Sequence, residues 1–270
     1  MRIGFLGGDA RMRVCAEGAL RVHHSVASLA PFGVGISVPD TRALCSFCDV
    51  LVLPSPASRD GCLIAGTDIA FSSLPLDKRH AVFGGFIPNK WREKHPALYD
   101  CAEEESFLLK NAALTAEGGI ATAMTASGRS FYGLSVGVIG YGRIAQILCT
   151  RLLGFGVRIS VYARRAEALA HARLHGFDAT PLQSDTVFSE SILFNTVPEP
   201  VFAQTRVCGT LFAYDLGGGM ESALSSLDGG TLSVVSMRGV PGVFAPTAAG
   251  EIILESLLAF IERNAGALPS

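Results

Sequence analysis

The sequence predicts an α/β protein of two domains, each built around a parallel β-sheet. Short apolar runs alternate with helical stretches, which is typical of β-α-β units. The chain has 270 residues, enough for two modest domains with separate cores. Glycine- and proline-rich segments separate the apolar runs and mark the loops at the strand ends.

Composition and charge exclude several classes of protein. A net charge of −2 gives no basic surface for nucleic acid or anionic lipid. No apolar run approaches the roughly 20 residues that span a bilayer, and Met1 is not followed by a signal-peptide pattern. We therefore expect a cytoplasmic protein with no nucleic-acid or membrane partner. Cys45 and Cys48 form a CxxC without a second ligand pair, so we expect ordinary reduced thiols and no metal.

The first domain is predicted to span residues 1–113. Its expected strands are Ile3–Leu6, Gly35–Val38, Val50–Leu53 and Ala81–Phe83. Its expected helices are about Arg11–Ala30 and part of Glu103–Lys110.

A linker helix is predicted at residues 114–129. Thr115 suits the N-cap position, and Glu117 would lie in the first turn, where the helix dipole favours an acid. The helix would cross from the first domain to the second, where Glu117 would face a cleft.

The second domain is predicted at residues 130–270. Its expected strands are Val136–Ile139, Arg158–Tyr162, Ile192–Asn195, Leu211–Asp215 and Leu232–Val235. A last helix, about Ala248–Arg263, carries an apolar stripe of Ile253, Leu257 and Ile261. The pattern leaves open whether this helix packs on its own domain or on the first one.

The strongest chemical signal is a G-x-G-x-x-A motif directly after the strand Val136–Ile139. Gly140 permits a tight turn, Gly142 lets the backbone approach a pyrophosphate, and Ala145 allows close packing of helix on strand. The exposed N–H groups of the following helix then meet the pyrophosphate. The second domain is therefore predicted to be an NAD(P)-binding Rossmann fold. Its loop residues expected at the cofactor are Gly140, Tyr141, Gly142, Arg143, Ile144 and Ala145.

The end of the next strand predicts which nicotinamide cofactor binds. NAD sites usually place an acid there for the ribose 2′-hydroxyl, whereas this chain has Ala163, Arg164 and Arg165. Arginine pairs with a 2′-phosphate through forked hydrogen bonds, so NADP is favoured and NAD is the alternative. In the alternative interpretation, both arginines only solvate the start of the next helix.

Two further strand-end loops are expected to border the cofactor, since ligands of doubly wound sheets lie beyond the carboxyl ends of the strands. Thr196 and Pro198 follow one strand, and Leu216 and Gly217 follow another.

Several segments resemble one known family in order and spacing. They are GGDAR, NAALTAEGGIATAM, VGVIGYGRIA, FNTVP and RGVPGVFAPTAAGEII, and the family is that of the A subunit of dipicolinate synthase. The resemblance covers nearly the whole chain. It implies a fold related to D-2-hydroxyacid dehydrogenases, with a smaller Rossmann-like α/β domain at the N-terminus.

The resemblance also implies an activity and a partner. The expected reaction is NADP-dependent oxidation of dihydrodipicolinate to dipicolinate, the pyridine-2,6-dicarboxylate of endospores, in the mother cell of a sporulating bacterium. The expected partner is the flavoprotein-like B subunit of dipicolinate synthase, and a homo-oligomer is possible. Two alternatives stay open: an NADP-binding scaffold or regulatory component for the flavoprotein, and a reductase of another small imino or hydroxy acid.

The chain departs from the family pattern in one loop. The family usually reads APKTAG where this chain reads APTAAG, residues 245–250, so a basic residue is missing. Our hypothesis is that Arg238, which follows the last strand, supplies a cation for the second substrate carboxylate.

The candidate catalytic and substrate-binding residues follow from the chemistry of a dihydropyridine dicarboxylate. Asp9 and Glu117 are the candidate bases, with helix capping and a first-turn dipole role as their respective alternatives. Arg11 is expected to bind a substrate carboxylate, with a surface role as the alternative. Ser55 and Ser58 could donate hydrogen bonds to the same carboxylate.

Overall fold

The computed structural model describes residues 1–29, 33–95, 97–200, 206–220 and 230–266. The chain forms two compact units. Unit 1 is Met1–Lys110 with Ala245–Ser270, and unit 2 is Asn111–Phe244. Each unit contains a six-stranded parallel sheet, which confirms the predicted α/β fold of two domains.

Unit 1 has its helices on both faces of the sheet. Its strands are β1 (Arg2–Leu6), β2 (Ser25–Leu29), β3 (Ile36–Val38), β4 (Val50–Val52), β5 (Ala81–Gly84) and β6 (Leu98–Asp100). Its helices are α1 (Ala10–Arg21), α2 (Thr41–Phe47), α3 (Asn89–Arg92), the start of α4 (Glu105–Ser127) and α8 (Pro246–Arg263). The strand order is β3-β2-β1-β4-β5-β6.

The prediction of one helix over Arg11–Ala30 was wrong. Helix α1 ends at Arg21, and β2 follows and pairs in parallel with β1, from Arg2 opposite Ser25 to Leu6 opposite Leu29. The turn between them places His23 in the left-handed region, at a φ of 66°. The small, apolar residues of β2 suit either a helix or a strand, so pairing with β1 decides the outcome. Ala30 lies outside the described residues.

The last helix belongs to unit 1, which answers the question that the sequence left open. A Cβ atom at Gly18 of α1 would lie 2.2 Å from Cδ2 of Leu254, so α1 and α8 approach closely at that point. Ile253, Leu257 and Ile261 are buried in the core of unit 1. The second domain, expected to run to residue 270, therefore ends at Phe244.

The predicted linker helix starts earlier than expected. Helix α4 begins at Glu105 and runs unbroken to Ser127, so Thr115 is not an N-cap and Glu117 is not in a first turn. The Thr115 hydroxyl instead donates to the Asn111 carbonyl, at 2.9 Å. The stretch expected to end at Lys110 and the stretch expected to begin at residue 114 are one helix, because no proline interrupts them.

Unit 2 is also built around a six-stranded parallel sheet. Its principal strands are β7 (Ser135–Ile139), β8 (Arg158–Ala163), β9 (Asp178–Pro181), β11 (Ile192–Asn195), β13 (Gly209–Asp215) and β14 (Gly230–Ser236), with a small pair of β10 (Val187–Phe188) and β12 (Arg206–Val207) beside them. Its further helices are α5 (Arg143–Leu153), α6 (Ala166–Leu174) and α7 (Val240–Phe244). The order of the main sheet is β14-β13-β11-β7-β8-β9.

The cysteine pair that precedes β4 is buried. Burial raises the pKa of the Cys45 thiol to about 11 and that of Cys48 to about 12. Both cysteines are free thiols. In the part of the chain that the structure describes, no helix is both long and apolar enough to span a bilayer.

Replacing Leu257 with alanine tests the placement of α8. The leucine is fully buried in the core of unit 1, so Leu257→Ala should lower the free energy of unfolding by about 2–5 kcal/mol. Leu109→Ala, at a position 43% exposed in α4, should cost less than about 1 kcal/mol. Denaturant unfolding measures both, and equal costs would contradict the assignment of α8 to this core.

Candidate functional site

A cleft of about 370 Å³ opens in unit 2 at the carboxyl ends of β7, β8 and β11. From β7 the chain crosses to β8 and β9 on one side, and it then returns to β11 on the other side of β7. Such a switch point is where doubly wound sheets bind ligands. The predicted cofactor residues that line this cleft are Gly140, Tyr141, Gly142, Ala163, Arg164, Arg165, Thr196 and Pro198.

The turn after β7 can be made only by glycine at position 140. Its φ is +92°, and a Cβ atom there would lie 2.6 Å from both Oγ1 of Thr196 and Cγ1 of Val197. The Gly140 N–H donates to the Tyr162 carbonyl, and the Thr196 hydroxyl donates to the Ile139 carbonyl, both within 2.8 Å. The ends of the three strands are thus joined through the backbone around this glycine.

Gly142 leaves open space at the start of α5. A Cβ atom at this position would meet no atom within 4 Å. Gly142 is the N-cap residue of α5, and no side chain caps the helix. A glycine N-cap offers no side-chain acceptor of its own to the first-turn N–H groups, an arrangement that fits a pyrophosphate.

Five predicted cofactor residues, Gly217 among them, do not line the cleft. Arg143 is exposed and Ile144 half-buried in the first turn of α5, whereas Ala145 is fully buried and lets the helix pack on the sheet. Leu216 is half-buried, and its side chain would be 3.2 Å from a Cβ atom placed at Gly119 of α4.

Tyr141 lines the cleft, although its side chain is 4% exposed. Its hydroxyl pairs with Nδ1 of His175 at 2.7 Å, and its ring packs edge-on against Phe177. Burial raises the pKa of this hydroxyl to about 12. The tyrosine therefore anchors the loop to α6 and β9 and leaves the cleft mainly to the glycines beside it.

The arginine pair lies at the cleft as expected from the sequence. Arg164 and Arg165 are both exposed, and Arg164 donates from Nη2 to the Pro200 carbonyl at 3.0 Å. Arg165 is also the N-cap residue of α6, as the alternative interpretation of this pair requires. Glu199, which sequence reasoning missed, contributes an acid to the same lining.

A buried polar pair that sequence reasoning missed organises the strand-end loops. Asn195 and Asp215 are fully buried, and the Asn195 amide donates to Asp215 at 2.7 Å. Asp215 also accepts from the backbone N–H groups of Gly218 and Met220, at 2.8 and 2.9 Å. Polar residues that end two adjacent apolar strands are the signal that could have revealed this pair, because a buried polar group needs partners.

In unit 1 the candidate base and the candidate carboxylate-binding residue pair with each other. Arg11 donates to both oxygens of Asp9, at 2.9 and 2.8 Å, and Asp9 caps α1 by accepting from the Arg11 N–H. Burial favours a higher pKa for Asp9, but the hydrogen bonds and charge of Arg11 outweigh it and hold that pKa below its usual value. The capping alternative for Asp9 thus has a physical basis, whereas the side chain of Arg11 is only 12% exposed, which does not fit its alternative, a surface role.

The two serines after β4 differ in their surroundings. The Ser58 hydroxyl bonds to the Leu63 carbonyl at 2.6 Å and to the Asp60 carboxylate at 3.0 Å, so it is used within its own loop. Ser55 is 5% exposed, and a Cβ atom at Gly85 would lie 2.4 Å from its Oγ. Ser55 therefore lies directly against the loop that follows β5.

The remaining candidates lie in unit 2, outside the cleft lining. Glu117 pairs with Arg151 of α5 at 2.9 Å, and Arg151 also donates to the Ala113 carbonyl at 2.6 Å. Arg238 is exposed and follows β14 by two residues. Neither residue lies at the glycine loop.

Comparison with known proteins agrees with this geometry. Residues 108–201 match the family described as D-isomer specific 2-hydroxyacid dehydrogenase, NAD binding domain. The A subunit of dipicolinate synthase from Bacillus subtilis (strain 168) is 25% identical over 242 residues, which cover 81% of this chain and 80% of that protein.

Solved structures share the fold. The crystal structure of the A subunit of dipicolinate synthase from Bacillus halodurans has a TM-score of 0.72 at 19% identity, covering 96% of this chain and 97% of that one. The NAD-dependent formate dehydrogenase of Staphylococcus aureus, in complex with NAD, has a TM-score of 0.58 at 14% identity, covering 100% and 97%. The resemblance to dipicolinate synthase is confirmed, and the chain is an NAD(P)-dependent oxidoreductase with a nicotinamide cofactor.

Substituting the two glycines separates folding from nucleotide binding. Gly142→Ala adds a methyl group into open space, at φ −88° and ψ −165°, which alanine adopts without strain. Its thermal stability should match that of the wild type, while its affinity for the dinucleotide should fall about tenfold or more, because the methyl group blocks the pyrophosphate. Calorimetric titration and thermal unfolding measure the two effects.

Gly140→Ala is the matched comparison. It should lower stability as well as binding, because its methyl group overlaps Thr196 and Val197. Undiminished dinucleotide affinity in Gly142→Ala would contradict the placement of the pyrophosphate at α5.

Proposed function

We propose that this protein is an NADP-dependent dehydrogenase that oxidises a dihydrodipicolinate to dipicolinate. The observation that carries the proposal is the dinucleotide cleft ending in Arg164 and Arg165, on a chain similar to the A subunit of dipicolinate synthase over most of its length. The proposal extends the oxidoreductase assignment to one cofactor and one substrate.

The preference for NADP rests on charge at the end of β8. The 2′-phosphate would meet two exposed guanidinium groups, and no carboxylate follows β8 at this position. Glu199 of the lining is the one feature that opposes a phosphate. It belongs to the loop after β11, and Arg164 already reaches that loop through the Pro200 carbonyl.

The reaction needs a hydride acceptor and a proton acceptor. A nicotinamide dinucleotide held at the glycine loop would supply the hydride acceptor. A proton leaves the ring as well, so the dihydropyridine loses two hydrogens and becomes an aromatic pyridine. The gain in aromaticity means that a weak base suffices, and positioning supplies most of the protein's contribution.

Asp9 and Glu117 are the proposed proton acceptors. Asp9 enters the reaction as a carboxylate, because Arg11 holds its pKa low, and it remains ionised throughout the physiological pH range. Glu117 is held by Arg151. In either case, the neighbouring arginine would orient the carboxylate for the proton that leaves the ring.

Substrate carboxylates need cations and hydrogen-bond donors. We propose that Ser55, which follows β4, and Arg238, which follows β14, supply them. Arg11 would contribute by holding Asp9, and Ser58 by its hydrogen bond to the Leu63 carbonyl. The proposed partner is the flavoprotein-like B subunit of dipicolinate synthase, and the proposed setting is the mother cell during endospore formation.

A second candidate function is a dinucleotide-binding scaffold for that partner. The observation that favours it is that both proposed bases already form ion pairs with arginines. A reductase of another imino or hydroxy acid is the third possibility, because the APTAAG segment lacks the basic residue of the family pattern.

Incubation with enzymatically generated dihydrodipicolinate tests the proposed function. With NADP present, NADPH and dipicolinate should appear in equal amounts, with or without the partner protein. Absence of both products under each condition would contradict the proposal in favour of another substrate. Turnover that requires the partner and survives Asp9→Asn and Glu117→Gln would favour the scaffold.

The arginine pair makes a separate prediction about the cofactor. The wild type should bind NADP more tightly than NAD, and Arg164→Asp should weaken NADP binding about tenfold to a hundredfold, because a charged hydrogen bond is lost and a repulsion gained. Arg158→Asp, at the amino end of β8, should leave both affinities unchanged. Tighter binding of NAD to the wild type would contradict the preference.

The pH dependence tests Asp9. If Asp9 accepts the proton, kcat/KM should show no fall attributable to this residue between pH 8 and pH 5, because its pKa lies below the usual value near 4. Asp9→Asn should lower kcat across that whole range while keeping the helix cap, since asparagine caps as well as aspartate. An unchanged kcat would restrict Asp9 to capping α1.

A further inference from the structure

The loop that follows β4 forms a rigid platform at the carboxyl ends of the strands of unit 1. We call residues 57–67 the platform loop. Its two ends are joined by the Ala65 N–H, which donates to the Ala57 carbonyl at 2.9 Å. The Ala57 N–H in turn donates to the Gly85 carbonyl, directly after β5, at 2.7 Å. The loop is therefore fixed at the carboxyl ends of the strands, where open α/β sheets bind their ligands.

The turn at the tip of the platform loop is held by Asp60. Its Oδ1 accepts from the backbone N–H groups of Cys62 and Leu63, at 2.7 and 2.8 Å, and lies 3.0 Å from the Ser58 hydroxyl. Trp91 of α3 donates from its indole N–H to the Gly61 carbonyl at 2.9 Å. These bonds fix the backbone on both sides of residue 59.

The platform loop also lies against the loop that carries Asp9 and Arg11. The Gly8 N–H donates to the Ala65 carbonyl at 2.8 Å. A Cβ atom at Gly66 would lie 2.8 Å from the Gly8 nitrogen, so the two backbones are in direct contact. The carboxyl ends of β1 and β4 thus share one surface.

Arg59 lies on this surface with its side chain exposed. It makes no ion pair or hydrogen bond with the part of unit 1 that the structure describes. Its charge adds to that of Arg11 in lowering the pKa of Asp9, as expected for a guanidinium close to that carboxylate. Neighbouring cations are engaged: Arg11 holds Asp9, and Lys90 donates to Sγ of Cys62 at 3.1 Å.

We infer that Arg59 is the cation of unit 1 that binds a substrate carboxylate, while Arg11 orients Asp9. A planar guanidinium on a rigid turn binds a carboxylate through two parallel hydrogen bonds, and no ion pair has to be broken first. The inference rests on the proposed function, because it identifies how a dicarboxylate is recognised at the same site. It also gives the substrate class: an acid whose carboxylate can be reached by a fork of two N–H donors.

Two substitutions at position 59 test the role of the guanidinium. Arg59→Gln should raise the KM for dihydrodipicolinate and the Kd for dipicolinate, the probe for direct binding, about tenfold to a hundredfold. The affinity for NADP should stay unchanged, and kcat should change less than KM. Arg59→Lys should recover part of the loss, since lysine keeps the charge but lacks the fork.

A matched control removes a charge near the amino ends of the strands of the same sheet. Lys78 is exposed and precedes β5, and Lys78→Gln should leave KM, kcat and the dipicolinate affinity at wild-type values. Comparison with this variant separates carboxylate binding at residue 59 from a general effect of net charge.

The outcomes distinguish this inference from the proposed function. A wild-type protein that neither oxidises dihydrodipicolinate nor binds dipicolinate overturns both. A wild-type protein that does either, with Arg59→Gln within twofold of it in KM and Kd, overturns only the role of Arg59. A selective rise in both constants, with thermal stability retained and with partial recovery in Arg59→Lys, supports the inference.

Discussion

The contact between the Gly140 turn and the loop after β11 is the constraint on which the dinucleotide site depends. Three strand ends meet there, and the gap between them is too small for any side chain at Gly140. The same contact turns the chain so that Gly142 begins α5 with open space in front of it. The geometry of the cleft therefore depends on the close packing of the Gly140 backbone against the side chains of Thr196 and Val197.

In unit 1, too, glycines allow strand-end loops to pack closely against each other. Gly8 and Gly66 bring two strand-end loops into backbone contact, and these loops carry the charged residues Asp9, Arg11 and Arg59. Carboxylates hold the loops in each unit: the exposed Asp60 in the platform loop, and the buried Asp215 with Asn195 in unit 2. Each of these carboxylates accepts backbone N–H groups, so the loops are fixed before any ligand arrives.

Much of the fold could be predicted from the sequence, because β1, β4 and β5 of unit 1 and β7, β8, β11, β13 and β14 of unit 2 are largely apolar runs bounded by turn residues. The errors occurred where tertiary contacts override local preference. Ser25–Leu29 is a strand only because β1 pairs with it, and α8 joins unit 1 through its contact with α1. Neither partner can be identified from a pattern within one segment.

The candidate site was predictable to the extent that it rests on motifs. The glycine loop and the arginine pair lie at the cleft, because their spacing is fixed by the β-α-β unit. Ion-pair partners were not predictable, since Arg11 turning to Asp9 and Arg151 reaching Glu117 depend on three-dimensional placement. Arg59 was missed for the same reason: nothing in the segment PSPASRDG indicates that the neighbouring cations are engaged and this one is not.

Transfer of a deuterium label from substrate to cofactor tests the central claim most directly. Dihydrodipicolinate deuterated at its sp³ ring carbons would be incubated with the protein and NADP, and the recovered nicotinamide would be examined by mass spectrometry. The account predicts one deuterium in the NADPH formed for each dipicolinate produced. Dipicolinate formed without deuterium in the nicotinamide would show that another oxidant removes the hydride, and would contradict the proposed dehydrogenase.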